Sequence, residues 1–156
     1  KGRFDVCFGL IEAYKLLNEE QKNSIEIVFY GDFYDYEINI LSEFFTVHKR
    51  ISRELVMEVQ READVLLLLA CEKYSVITGK LFEYLSTGNR ILGLFDKPYA
   101  GTIINELQAG DIIPSSHTEA LRIYLATLSD IDAVNYTGRL EPYMYSNLFK
   151  NYEKLI

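Results

Sequence analysis

The chain has 156 residues, 49% hydrophobic and 25% charged, with a formal net charge of −7. That apolar content excludes a disordered chain, and the acidic balance excludes a nucleic-acid partner held by its phosphates on a basic face. Two cysteines, Cys7 and Cys71, stand far apart in neither a CxxC nor a metal spacing; they predict packed thiols and a reducing, cytoplasmic setting. The apolar run VLLLLAC at 65–71 falls far short of the roughly 20 residues a membrane span needs, and no signal peptide is visible. The chain begins at Lys1 and enters a helical pattern at once, which suggests a piece cut from a longer protein. Without repeats or linkers, 1–156 reads as one domain.

In chain order, RFDVCFGLIEAYKLLNEE places Phe4, Phe8, Ile11, Tyr14 and Leu17 on a helical stripe. SIEIVFYGD is a β-branched and aromatic run ending at Gly31, hence a strand and a turn. YDYEINILSEF predicts a short helix and FFTVHKRI a second strand. SRELVMEVQREA predicts a helix capped by Ser52, with Leu55 and Val59 inward and Ile51 stapled to Val56. DVLLLLA is apolar without alternation, as in a strand buried on both faces of a parallel sheet. A helix from about Gly79 leads into the strand RILGLF. AGTIINELQAG predicts a helix closed by Gly110, and DIIP a short strand. Ser116 and Glu119 fit a capping box for HTEALRIYLATL, and 141–156 predicts a final helix with Pro142 in its first turn. Strands alternating with helices give a parallel sheet with helices on both faces and right-handed crossovers. Ligands of such sheets bind beyond the carboxyl ends of the strands, which directs attention to GDFYDY, HKRIS and CEKYSVITGK.

TGKLFEYLSTGNRILGLF, at 78–95, carries the strongest chemistry. A helix N-terminus has partial positive charge and free N–H groups. Lys80 adds a full positive charge there, which is unfavourable alone and favourable with an anion such as phosphate between them. Gly79 permits close backbone approach. Glu83, one turn on, offers an acceptor-only carboxylate suited to ribose hydroxyls. The same spacing also allows Lys80 and Glu83 simply to pair, for roughly 0.2–0.5 kcal/mol.

The segment ADVLLLLACEKYSVITGKLFEYLSTGNRILGLF resembles the C-terminal, donor-binding domain of GT-B glycosyltransferases, close to glycosyltransferase family 4 (group 1). The likeness runs through Lys80, Leu81, Phe82, Glu83, Tyr84, Leu85, Gly88, Ile91 and Leu92. GLIEAYKLL, IEIVFYGD, HKRISRELVMEVQREADVLLLL and AGDIIPSSHTEAL are similar to further segments of that domain. The resemblance implies a Rossmann-like three-layer fold whose first strand is missing, and a domain cut from a two-domain enzyme. It implies transfer of a sugar from a nucleotide-diphosphate sugar to an acceptor in bacterial surface-polysaccharide synthesis, with no further cofactor. Localisation would be cytoplasmic, peripheral at the inner membrane in the whole protein. Glu83 matches the ribose-binding second glutamate of an E-x7-E motif. Gly79 and Lys80, with neighbouring N–H groups at Thr78 and Ser75, would lie near the diphosphate, where Lys80 would serve catalysis. Gly31 and the segment from His48 through Lys49 to Ile51 would lie near the base. Two features depart from the pattern: the first glutamate's place holds Ser75, with Glu72 three residues too early, and Arg3 is the sole candidate for the family's diphosphate-binding basic pair. The acceptor-binding N-terminal half would be the absent partner, so the chain alone is expected to bind nucleotide weakly and transfer nothing.

Elsewhere, His117 reads as structural, and Asp32, Tyr34 and Asp35 as a solvated turn. Tyr143, Tyr145, Phe149 and Tyr152 make the last helix rich enough in aromatics to seek a partner. Neither a Ser-His-Asp nor a Cys-His arrangement is apparent, and no metal cluster. Two alternatives remain at this point. A receiver-type interaction domain is disfavoured by His48 and Lys49 where it needs an aspartate. The other is the nucleotide-binding half of a nucleotide-sugar epimerase.

Overall fold

A computed structural model describes residues 4–69, 79–95 and 98–143. Helix α1 (Phe4–Lys15) is followed by a short α2 (Glu19–Asn23) and strand β1 (Val28–Tyr30). Then come α3 (Asp35–Leu41), β2 (Thr46–His48), α4 (Arg53–Glu62), β3 (Val65–Leu69) and α5 (Gly79–Leu85). The chain continues through β4 (Arg90–Leu94), α6 (Pro98–Leu107), β5 (Gly110–Ile112) and α7 (Thr118–Ala126) to short 3-10 turns, the last at Glu141–Tyr143. All strand pairs are parallel, as the alternation of elements requires, and the fold is α/β and Rossmann-like.

The expected single sheet is divided. β1 pairs with β2 with Phe29 opposite Val47, and β3, β4 and β5 form a second sheet in that order with Leu67 opposite Leu92. Both sheets contribute to one apolar cluster. Phe29 of β1 and Leu92 and Leu94 of β4 pack there with Leu10 and Ile11 of α1, Leu41 of α3 and Leu121 and Leu125 of α7. A second cluster lies on the opposite face of β3–β5, joining Leu68, Ile91 and Phe95 to Leu81 and Leu85 of α5 and Ile104 and Leu107 of α6. Helices thus cover both faces, and the apolar character of β4 follows from its central place.

Several local expectations are corrected. The first helix stops at Lys15 because Asn18 starts a new one: its carboxamide oxygen accepts from the Gln21 N–H at 2.8 Å, and the Gln21 side chain accepts from the Asn18 N–H at 3.0 Å. Phe8, placed on the inward stripe, is exposed, and Val6, Cys7 and Ala13 are buried instead. Leu55 is 49% exposed rather than inward, and Gln60 is the residue that α4 buries. Gln108, at φ 53°, closes α6 in place of Gly110. The Ala109 N–H reaches the Ile104 carbonyl at 2.9 Å and the Gln108 N–H the Asn105 carbonyl at 3.0 Å, the paired bonds of a Schellman ending. Ser116 does not cap α7; His117 is its N-cap, without a side-chain cap bond, and Glu119 instead pairs with Arg122 at 2.6 Å. β3, expected to be buried on both faces, buries Leu66 and Leu68 on one face and leaves Val65, Leu67 and Leu69 half-buried on the other. Of the expected last helix only 141–143 is described, as a 3-10 turn; the remainder lies outside the described residues.

Candidate functional site at the carboxyl ends of the strands

Ser52 caps α4 by accepting from the Leu55 N–H at 3.4 Å, and the Glu54 carboxyl is held below its ordinary value by its own backbone N–H and the Ser52 hydroxyl. This places the start of α4 just beyond β2. The last residues of β1 and β2 meet as a stacked pair: the rings of Tyr30 and His48 lie 4.9 Å apart at 24°. The Gly31 N–H donates to the His48 carbonyl at 3.1 Å, and Arg50 pairs with Asp32 at 3.7 Å across the two loops. Lys49 is exposed and Ile51 half-buried beside them. Gly31, His48, Lys49 and Ile51 are therefore gathered at one edge. The Tyr30 partner of His48 escaped the sequence reading; its signal was the equal distance of both residues from the ends of paired strands.

The second group sits at the start of α5, beyond β3. Leu81 and Leu85 anchor this helix in the core, which leaves Gly79, Lys80 and Glu83 toward solvent. Gly79 is open, with no atom within 4 Å of where a Cβ would stand. Lys80 Nζ lies 3.1 Å from Glu83 Oε2, with the two side chains 40% and 51% exposed. It also stands 5.4 Å from the centroid of the Tyr84 ring. The Tyr84 hydroxyl reaches back to the Leu67 carbonyl on β3 at 3.4 Å. The two charged residues that the sequence assigned to phosphate and ribose thus satisfy each other in the chain alone. Ser75, Thr78, Glu72, Cys71 and Arg3 lie outside the described residues. Among the described residues no hydrogen bond or ion pair joins the His48 group to the Lys80 group.

The opposite, amino-terminal edge carries a cleft of about 350 Å³, lined by Arg61–Val65, Gly88–Arg90 and parts of 128–134. There Arg90 binds Asp111 at 2.6 Å and the Asp132 carbonyl at 3.1 Å, tying β4 to β5 and to the chain beyond α7. Asn89 and the hydroxyl of Tyr136, which donates to the Asn89 carbonyl at 2.8 Å, complete this edge. Asn89, Arg90 and Tyr136 are taken up in joining elements, so the cleft reads as structural.

Among the described residues no group of His, Cys, Asp and Glu has the geometry of a metal site, and no helix is long and apolar enough to cross a membrane. Cys7 is buried on the inner face of α1, and burial, with the Glu37 carboxylate, pushes its thiol up to about 12, far from the depressed value of a nucleophile. No family model, curated protein or solved structure matches the chain.

Proposed function

We propose that the chain is the donor-binding domain of a GT-B glycosyltransferase, holding a nucleotide-diphosphate sugar at the carboxyl edge of its parallel strands. The observation that carries this reading is the position of Lys80 and Glu83: one cation and one carboxylate, three residues apart, on the helix that follows β3. That is where open α/β sheets bind ligands. Glu83 accepts from the ribose hydroxyls. Lys80 neutralises the diphosphate as the bond from the sugar's anomeric carbon to the diphosphate oxygen breaks and its electron pair moves onto that oxygen. The acceptor hydroxyl, brought by the partner domain, forms the new bond at the same carbon through its oxygen and gives up its proton, which leaves with the released diphosphate or to solvent. The base lies against the Tyr30–His48 edge. The setting is the cytoplasmic side of the inner membrane.

Titration of UDP, GDP, ADP and CMP against the chain, followed by amide NMR shifts, tests this. One nucleotide should bind in the millimolar range with shifts at Lys80, Glu83 and His48, and Glu83→Ala should weaken it about tenfold, roughly the 1.4 kcal/mol of a charge-assisted hydrogen bond. The reading is wrong if none binds, or if Glu83→Ala binds as the parent chain does.

A further inference from the structure

At the Tyr30–His48 edge the side chains beyond the rings are also paired. Val28 and Tyr30 of β1 lie on the face of the strand opposite the buried Phe29, and His48 is the ladder partner of Tyr30. The Gly31 N–H still donates to the His48 carbonyl at 3.1 Å, so the two chains stay side by side past the ends of the strands. Two residues beyond each ring, the period that returns a side chain to the same face of an extended chain, stand Asp32 and Arg50, and these meet at 3.7 Å. An aromatic pair with its centroids 4.9 Å apart is thus followed, along the same two chains, by a carboxylate beside a guanidinium.

The ion pair adds little to the fold. Its side chains are 78% and 75% exposed, and its separation is long for a charge-assisted hydrogen bond; exposed pairs of this kind contribute almost nothing measurable. Arg90 and Asp111, closed at 2.6 Å, show the contrast. Neither Asp32 nor Arg50 makes another side-chain hydrogen bond or ion pair among the described residues. Asp32 keeps its carboxylate oxygens, and Arg50 its fork of N–H groups, for a further partner.

We infer that the base bound at this edge is guanine, stacked on the Tyr30–His48 rings with its edge read by Asp32 and Arg50. The inference rests on the nucleotide reading and names its base. Every base has a face to stack, so the rings alone select none, and selection falls to the edge. Guanine places two neighbouring donors, N1–H and the N2 amino group, where both oxygens of a carboxylate accept together. On the adjoining edge it carries the acceptors O6 and N7, to which a guanidinium donates in a pair. O6 stands next to N1, so the two groups that read this base must themselves be neighbours, as Asp32 and Arg50 are. Uracil sets its single N–H between two carbonyl oxygens, and these face the carboxylate unfavourably. Adenine and cytosine present a bare ring-nitrogen acceptor beside the amino group, which Asp32 repels. Hypoxanthine keeps N1–H, O6 and N7 but lacks the amino group, so it is the graded case.

The test titrates GDP, UDP, ADP, CDP and IDP against the chain, with amide NMR shifts reporting both affinity and place; the diphosphate is the same in all. GDP should bind at least about fivefold tighter than UDP, ADP or CDP, the lower end of what a bidentate base contact discriminates, with IDP between. It should shift the amides of Asp32 and Arg50 as well as that of His48. Asp32→Asn, which turns an amino group toward the donors of the base, should bring GDP to within about twofold of UDP. If UDP, ADP or CDP binds as tightly as GDP, with shifts at Lys80 and Glu83, the donor site stands and the guanine inference is overturned. It is overturned too if GDP is preferred without shifts at Asp32 and Arg50, or if Asp32→Asn keeps the preference. If none of the nucleotides binds, the nucleotide reading itself fails, and the inference with it.

Discussion

Asn89 offers the sharpest test of the packing logic. Its Nδ2 lies 2.8 Å from the Gln60 carbonyl, 3.0 Å from that of Arg61 and 2.7 Å from that of Ala63. These carbonyls close α4, where the helix itself leaves acceptors unpaired. The residue is held in place by its own N–H, which donates to Thr87 Oγ1 at 3.1 Å, after Gly88 turns the chain at φ 82°. The amide has two N–H groups for three acceptors, so two full bonds are counted. At about 1 kcal/mol net each, Asn89→Ala should cost about 2 kcal/mol, less what water returns to the exposed Arg61 carbonyl. For a chain of this size that is a Tm lower by about 4–8 °C. Asn89→Asp should cost more, because a carboxylate has no donor and would face carbonyl oxygens. Urea denaturation measures both. A loss under about 0.5 kcal/mol for Asn89→Ala, or an aspartate tolerated better than alanine, would refute the clamp.

Three further outcomes are expected. Gly9→Ala should destabilise by at least about 2 kcal/mol in thermal melts, although alanine gains about 1 kcal/mol in a helix interior, because a Cβ there would stand 1.8 Å from the Ser115 carbonyl oxygen; a rise in Tm would contradict that contact. Tyr124→Phe should leave stability unchanged or raise it by about 0.5–1 kcal/mol, since among the described residues the buried hydroxyl, though it lies beside Asp111 and Arg90, forms no hydrogen bond of good geometry; a clear loss would mean that it bonds to one of these two. The raised thiol of Cys7 and the phenol of Tyr136, pushed by burial up to about 12, favour their neutral forms in the fold. In the unfolded chain they ionise near their ordinary values, so the stability they contribute is complete below about pH 9 and is lost as pH rises toward 12. Urea midpoints from pH 8 to 10.5 should fall, and Cys7→Ala should flatten the slope; an equal slope in that variant would assign the effect elsewhere.

The α/β class was legible because Val, Ile, Phe and Leu runs alternate with amphipathic segments, and each paired run became a parallel strand. The division of the sheet was not legible, because DVLLLLA reads the same whether a neighbour stands on one side or both. Leu55 shows a related ambiguity: its spacing asks for burial, but burial needs a surface opposite, and among the described residues α4 packs closely on no other helix or strand. The Ser116 box failed for a different reason. Glu119 has Arg122 one turn away on its own helix, and a bidentate carboxylate–guanidinium contact, with oxygens at 2.6 and 2.8 Å, competes directly with reaching back to a cap. Asn89 lay beyond any local pattern, since its acceptors are 26 to 29 residues earlier in the chain. At the candidate site the sequence placed Lys80 and Glu83 on one helical face, and the fold brings the Gly31 and His48 loops to the same kind of strand end.

The Lys80–Glu83 pair bears on the nucleotide reading through its size. Both side chains are about half exposed, and a pair of this kind on a helix surface is worth roughly 0.3–0.5 kcal/mol. Breaking it to admit a diphosphate and a ribose would weaken binding by about a factor of two, small beside the charge-assisted bonds that replace it. Closure of the pair in the chain alone is therefore no barrier to a ligand. The Tyr84 ring holds Lys80 at the helix start with its Nζ free to turn outward, and the Tyr84 hydroxyl fastens the same side chain to the β3 edge.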